Sequence, residues 1–191
     1  ITEDDLSNGG IQIATLLGGS VTDVDGGAIE GIAITSLSSG NGTWEYSTDG
    51  GLTWTAVGTV SDNSALLLRS SDYIRFVPDG ENADTASFDF RAWDQTTGLF
   101  GTKVDTTTNG GTSAFSAATD TADITVTAIN DAPILTPASP SLPTITEDDL
   151  SNGGIQIATL LGGSVTDLDT GALGGIAVTG LVSGNGTWEY S

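Results

Sequence analysis

The chain contains no cysteine, no histidine and no methionine, and only four lysines and arginines. Without cysteine there is no disulfide framework, so the fold must be held by its core or by bound ions. Without histidine or cysteine the nucleophile–base systems of serine and cysteine hydrolases cannot be assembled. The same absence removes the usual zinc and copper ligands and leaves the oxygen-donor metals. Four cations cannot build the basic face that a phosphate backbone requires, which excludes nucleic acid as a partner. An anionic membrane surface repels such a chain, and no apolar run is long enough for direct membrane insertion. With no methionine to start it, the chain reads as a piece of a longer protein whose signal or anchor lies elsewhere.

What the chain has in excess is carboxylate and repetition. Its 25 Asp and Glu give a net charge of -21. The stretch from Ile1 to Ser47 recurs 144 positions later as Ile145 to Ser191. The two copies differ at Val24/Leu168, Gly26/Thr170, Ile29/Leu173, Glu30/Gly174, Ile34/Val178, Ser36/Gly180 and Ser38/Val182, and are otherwise identical. The parent therefore reads as a tandem array, and arrays of near-identical modules seldom serve catalysis.

Apolar residues make up 37% of the chain and alternate with polar ones between Gly, Asn, Asp and Ser clusters. Turn signals at roughly ten-residue spacing predict an all-β sandwich. Strands are expected at Ile11–Leu17, Gly31–Leu37, Thr43–Tyr46, Leu52–Val57, Ala65–Leu68, Tyr73–Val77, Ala86–Trp93 and Asp123–Ile129. Phe88, Phe90 and Ala92 should share one face while Asp89, Arg91 and Trp93 share the other; Ile124, Val126 and Ala128 should point inward. No window supports an amphipathic helix of useful length. Residues 101–118, polar and rich in Gly and Thr, suit a long hairpin or an insertion. Pro133, Pro137, Pro140 and Pro143 mark a stiff boundary. The expected organisation is a module over 1–131 lacking its first edge strand, a Pro-rich boundary or first strand over 132–144, and the first third of the next repeat over 145–191.

The order of these signals resembles the cadherin-like tandem repeats in the extender region of giant bacterial RTX-type surface adhesins. The carrying motifs are Asn130-Asp131-Ala132-Pro133 at a strand end, Ile145-Thr146-Glu147-Asp148-Asp149, and Val-Thr-Asp-x-Asp at Val21–Asp25 and Val165–Asp169. Phe76-Val77-Pro78 leading to Ala86–Asp94 adds to them. The resemblance implies a Greek-key β-sandwich of cadherin or immunoglobulin type, and the length of the repeat implies insertions or a second lobe.

The acidic clusters point to calcium on their own chemistry. Calcium takes six to eight oxygens, several of them anionic, in flexible geometry. Like charges about 4 Å apart oppose each other by roughly 4 kcal/mol at an effective dielectric of 20, so crowded carboxylates call for a cation. Asp23 and Asp25, like Asp167 and Asp169, are two apart in extended chain and face one side. Glu3 can give a bidentate carboxylate, Asn130 a carbonyl and Asp131 a further carboxylate. The resemblance implies a site of Asn130, Asp131, Glu147, Asp94 and one or both of Asp167 and Asp169, with an incomplete equivalent of Glu3, Asp23 and Asp25. Asp and Asn beside Gly are also ordinary turn residues, and that reading stays open, as it does for Asp4, Asp5, Asp120 and Asp123. Arg69, Arg75 and Arg91 are expected in local ion pairs.

Ser47-Thr48-Asp49-Gly50-Gly51-Leu52-Thr53-Trp54 looks like the Asp-box hairpin of sialidase propellers. One copy and three arginines do not make a sialidase, so Ser47, Asp49, Gly51 and Trp54 are read as a structural turn. Trp44, Trp54 and Trp93 are read as packing residues. The expectation is a non-enzymatic, calcium-stabilised extender, secreted to the cell surface through a type I system and supporting attachment or biofilm formation. Its partners are neighbouring repeats, and the piece alone should be monomeric. The alternative is a glycan- or peptide-binding module of the same kind of adhesin, using residues 101–118 and exposed tryptophans.

Overall fold

The computed structural model describes residues 1–25 and 28–191, which divide into two compact units, Ile1–Ile129 and Asn130–Ser191. Gly26, the glycine of the first Asp-x-Asp-Gly cluster, lies outside the described residues.

The first unit is an all-β sandwich. In chain order its elements are β1 (Ile11–Gln12), α1 (Ile13–Leu17), β2 (Gly31–Ser38), β3 (Thr43–Ser47) and β4 (Thr55–Ala56). These are followed by β5 (Ala65–Arg69), β6 (Tyr73–Val77), β7 (Asp84–Trp93), β8 (Lys103–Val104) and β9 (Asp120–Val126). One sheet has the order β1-β6-β3-β4 and the other β8-β5-β2-β7-β9, with antiparallel pairing throughout. A parallel bridge joins Thr2 to Thr127 beyond the end of β9.

Period-two alternation explains the main core. Ile74 and Phe76 of β6 and Trp44 of β3 face Ile32, Ile34, Leu66, Leu68, Ala86, Phe88 and Phe90 from the other sheet. The Trp44 ring meets Phe76 and Phe88 edge-on, with centroids 5.2 and 5.0 Å away. Each such side chain, fully buried, stabilises the fold by about 1.5–3 kcal/mol through the apolar area it removes from water.

A second, smaller core lies on the outer face of the larger sheet. Ala33, Ala65, Leu67 and Trp93 point away from the sandwich and are covered by Phe100, Val104, Ala114 and Phe115. Trp93 thus occupies the face opposite Phe88 and Phe90, as the alternation requires. Residues 101–118 are not a projecting hairpin: they carry β8 onto the sheet edge and seat Phe115 beside Trp93 in a β-bridge. Buried Thr106 fastens the insertion, its N–H and hydroxyl both donating to the Asp62 carbonyl at 2.7 and 2.9 Å. Gly98 sits at φ 84°, a left-handed conformation that favours glycine, and an added Cβ would force the Leu67 side chain to move.

Several expected elements are corrected. Ile11–Leu17 is not one strand but two strand residues and a five-residue helical turn. Burial of Ile13 and Leu17, four residues apart, selects the helix, and Gly18 closes it in the left-handed region at φ 54°. Leu52–Val57 contracts to Thr55–Ala56, because Leu52 and Thr53 belong to a turn. The last strand begins earlier, at Asp120, and Ala128 is exposed beyond its end.

The second unit repeats the local structure without the sandwich. It contains β10 (Ile134–Leu135), α2 (Ile157–Leu161) and β11 (Val165–Thr166), with Gly162 at φ 53° closing α2 as Gly18 closes α1. Ile176 is 47% exposed where its counterpart Ile32 is 0%, and Trp188 is 52% exposed where Trp44 is 5%. Truncating the two tryptophans therefore separates position from sequence. Trp44→Ala should destabilise the first unit by about 3–5 kcal/mol, whereas Trp188→Ala should stay within about 0.5 kcal/mol. Equal losses of stability in urea unfolding of the two variants would refute this account of the core.

Candidate cation-binding loops

Each acidic cluster is built on a turn. In the first unit the Asp25 N–H donates to Asp23 Oδ1 at 2.8 Å, and in the second the Asp169 N–H donates to Asp167 Oδ1 at 3.0 Å. The Asx geometry that makes these residues ordinary turn formers is therefore present. It engages Oδ1 of the first carboxylate in each pair.

In the second unit the turn is extended by Asp131, whose N–H donates to Asp169 Oδ2 at 2.9 Å. Carboxylate oxygens of Asp131 and Asp169 lie within 4.8 Å of one another, a separation one cation can bridge. Asp131, Asp167 and Asp169 are all half-buried, and the two later residues line a cleft of about 190 Å³ with Pro133. Asn130 is exposed and turns its side-chain amide onto the Asp131 carbonyl at 2.8 Å. Glu147 is exposed on a turn.

Glu3 of the first unit is 1% exposed. The bridge at Thr2 holds it, with the Glu3 N–H donating to the Thr127 carbonyl at 3.1 Å. Its Oε1 accepts the Ile129 N–H at 2.6 Å, while Oε2 is buried with no hydrogen-bond donor among the described residues. A carboxylate oxygen shielded from water and lacking a donor is costly unless a cation satisfies it. The donor set here is carboxylate oxygen, which suits a hard, oxygen-preferring cation rather than a softer metal.

Asp23, Glu30 and Asp94 line a second cleft, of about 240 Å³, together with Val21 and Phe115. Asp94 Oδ1 is held by the N–H and hydroxyl of Thr96 at 2.8 and 2.6 Å. Sequence reasoning did not single out Glu30, since nothing in its neighbourhood marks it; only the approach of β2 to β7 sets it beside Asp94.

The cations are committed elsewhere. Arg69 pairs with buried Asp72, Arg75 with Glu45 and Arg91 with Asp62, at 2.6, 2.7 and 3.1 Å. Lys103 donates to the Thr59 carbonyl at 2.7 Å. The partners Asp72, Glu45 and Asp62 carry no motif of their own and emerge only from strand register and turn geometry.

The Ser47–Trp54 turn is dense with hydrogen bonds. Asp49 Oδ1 accepts the N–H groups of Leu52 and Thr53 at 3.1 and 2.9 Å and the Ser47 hydroxyl at 2.7 Å; Oδ2 accepts the Thr53 hydroxyl at 2.6 Å. Ser47 Oγ takes the Gly51 N–H at 2.9 Å, and the half-buried Trp54 ring lies 4.2 Å from the Arg75 guanidinium carbon.

No family model matches the chain, and no curated protein or solved structure matches it either. No helix among the described residues is long and apolar enough to cross a membrane.

The turn has a measurable acid–base signature. The Thr53 hydroxyl, followed by the Thr53 N–H and the Ser47 hydroxyl, holds the Asp49 carboxyl at about 2, below the ordinary 3.8. A depressed folded-state value means that the contribution of these bonds is present above pH 3.8 and is lost as pH falls towards 2. In an NMR titration, Thr53→Val should return Asp49 towards its ordinary value; an unmoved midpoint would contradict the assignment of the leading cause.

Proposed function

We propose that the chain is a calcium-stabilised extender module of a bacterial cell-surface adhesin. The single observation that carries this reading is the buried Glu3, whose Oε2 meets no hydrogen-bond donor among the described residues, in a chain of net charge -21. The paired Asp-x-Asp turns supply further oxygens of the right kind. Calcium held at the acidic ends of the module offsets carboxylate repulsion and stiffens a tandem array that carries a distal binding region away from the cell. The role is mechanical and non-catalytic, in a secreted protein whose neighbours are other repeats of the same chain. In low calcium the anionic chain is loose and suited to export; in millimolar calcium it is stabilised.

The alternative, a glycan- or peptide-binding module, has less support. Val104, Ala114 and Phe115 of the 101–118 stretch pack with Ala33, Leu67 and Trp93, which commits part of it to the core.

Calcium at a hundredfold excess over its Kd adds about 2.7 kcal/mol per site. For a unit of this size that corresponds to roughly 5–10 °C in Tm. Scanning calorimetry with calcium and then with chelator should show at least that difference, reduced in Glu3→Gln and Asp169→Asn variants. A Tm indifferent to chelation would remove the reading.

A further inference from the structure

Gly18–Asp23 and Gly162–Asp167 are the same six residues, yet their surroundings differ. In the second unit Val165 and Thr166 are paired along one edge by β10, with Ile134 opposite Thr166 and Leu135 opposite Val165. The Thr136 N–H extends that pairing to the Ser164 carbonyl at 2.8 Å, and the Asp131 N–H extends it the other way to the Asp169 carboxylate at 2.9 Å. In the first unit Val21 and Thr22 belong to no strand, and among the described residues their backbone groups make no hydrogen bond. Burial at the two places is alike: Val21 and Val165 are half-buried, Thr22 and Thr166 exposed. Val21 packs against the main core, so its segment is anchored in place.

An anchored segment whose N–H and C=O groups are unpaired among the described residues is a template for an added strand. We propose that Val21–Thr22 is a strand-accepting edge whose occupant is the Asn130–Thr136 segment of a second copy of this chain. Pairing is antiparallel, with Ile134 opposite Thr22 and Leu135 opposite Val21. Thr136 N–H then reaches the Ser20 carbonyl and Asp131 N–H the Asp25 carboxylate. The argument for this occupant is that the identical acceptor is already seated on it in the second unit. Donor and acceptor are different surfaces, so each copy carries one of each. The proposal rests on strand pairing and stands apart from the calcium reading.

Each copy already holds its own donor strand at an effective concentration on the order of millimolar, so association between copies is weak and appears in that range. The test is an amide NMR titration of the full chain, in calcium-containing buffer, with a synthetic peptide spanning residues 130–143. Saturable shifts are expected at Ser20–Asp25, and the same shifts on raising the chain itself to millimolar concentration. A Thr22→Pro variant should lose them while its amides at Ser164–Asp169 still respond. Unmoved amides at Ser20–Asp25, or shifts that survive Thr22→Pro, overturn the edge. A response to peptide without a response to chain concentration overturns the second copy as its occupant.

Discussion

Closure of one sheet over the other around Trp44, Phe76 and Phe88 is the contact from which the rest of the first unit follows. It fixes the register of β3 on β6 and of β2 on β7, and a one-residue slip would turn each apolar set to solvent. With register fixed, Ala33, Leu67 and Trp93 necessarily face outward from the larger sheet. That exposed apolar strip is what draws residues 98–118 onto the sheet as a second layer. The β5 and β2 strands, covered on both faces, then read as near-continuous apolar runs, Ala65-Leu66-Leu67-Leu68 and Ile32-Ala33-Ile34.

Electrostatics operates on this frame by scarcity. Three arginines are used at the sheet and its turns, where Arg69 satisfies the buried carboxylate of Asp72 and Arg75 ties Glu45 to the Trp54 ring and the Asn8 carbonyl. Nothing in the composition is left to neutralise a set of 25 acids. Hydrogen bonds take part of that load, from the Thr53 hydroxyl at Asp49, the Asn82 side-chain amide at Asp79 and the Thr107 hydroxyl at Asp105, aided by turn N–H groups, and they hold these carboxyls below their ordinary value. Glu3 receives one such bond and is left with a buried oxygen.

The candidate site was partly legible in advance because its ingredients are local. Spacing-two acids after a Val-Thr pair can be read from the chain, and both pairs adopt the same Asx turn. Asp131 and Asp169 meet because β10 pairs with β11, a contact between residues more than thirty apart that no motif announces. Asp94 and Glu30 share a cleft with Asp23 for the same kind of reason, the approach of β2 to β7. The burial of Glu3 was not legible at all: its neighbours Asp4 and Asp5 look alike in sequence, and only the bridge at Thr2 and Thr127 singles it out.

The repeat within the chain divides what local sequence determines from what tertiary structure decides. Both copies form the Ile-Ala-Thr-Leu-Leu turn of helix with its left-handed glycine, at φ 54° and 53°. Both form the Asx turn at Asn8 and Asn152, each at 3.2 Å, and both turn the indole N–H of Trp44 or Trp188 onto a carbonyl six residues back, again at 3.2 Å. These bonds close over a few residues and need no partner, so sequence alone determines them. Strands differ in kind: Gly31–Ser38 is a central strand, while Gly175–Val182, with five of eight residues identical, is no strand at all. A strand's hydrogen bonds and apolar face must be satisfied by distant chain, and β5 and β7 are there for one copy and not for the other.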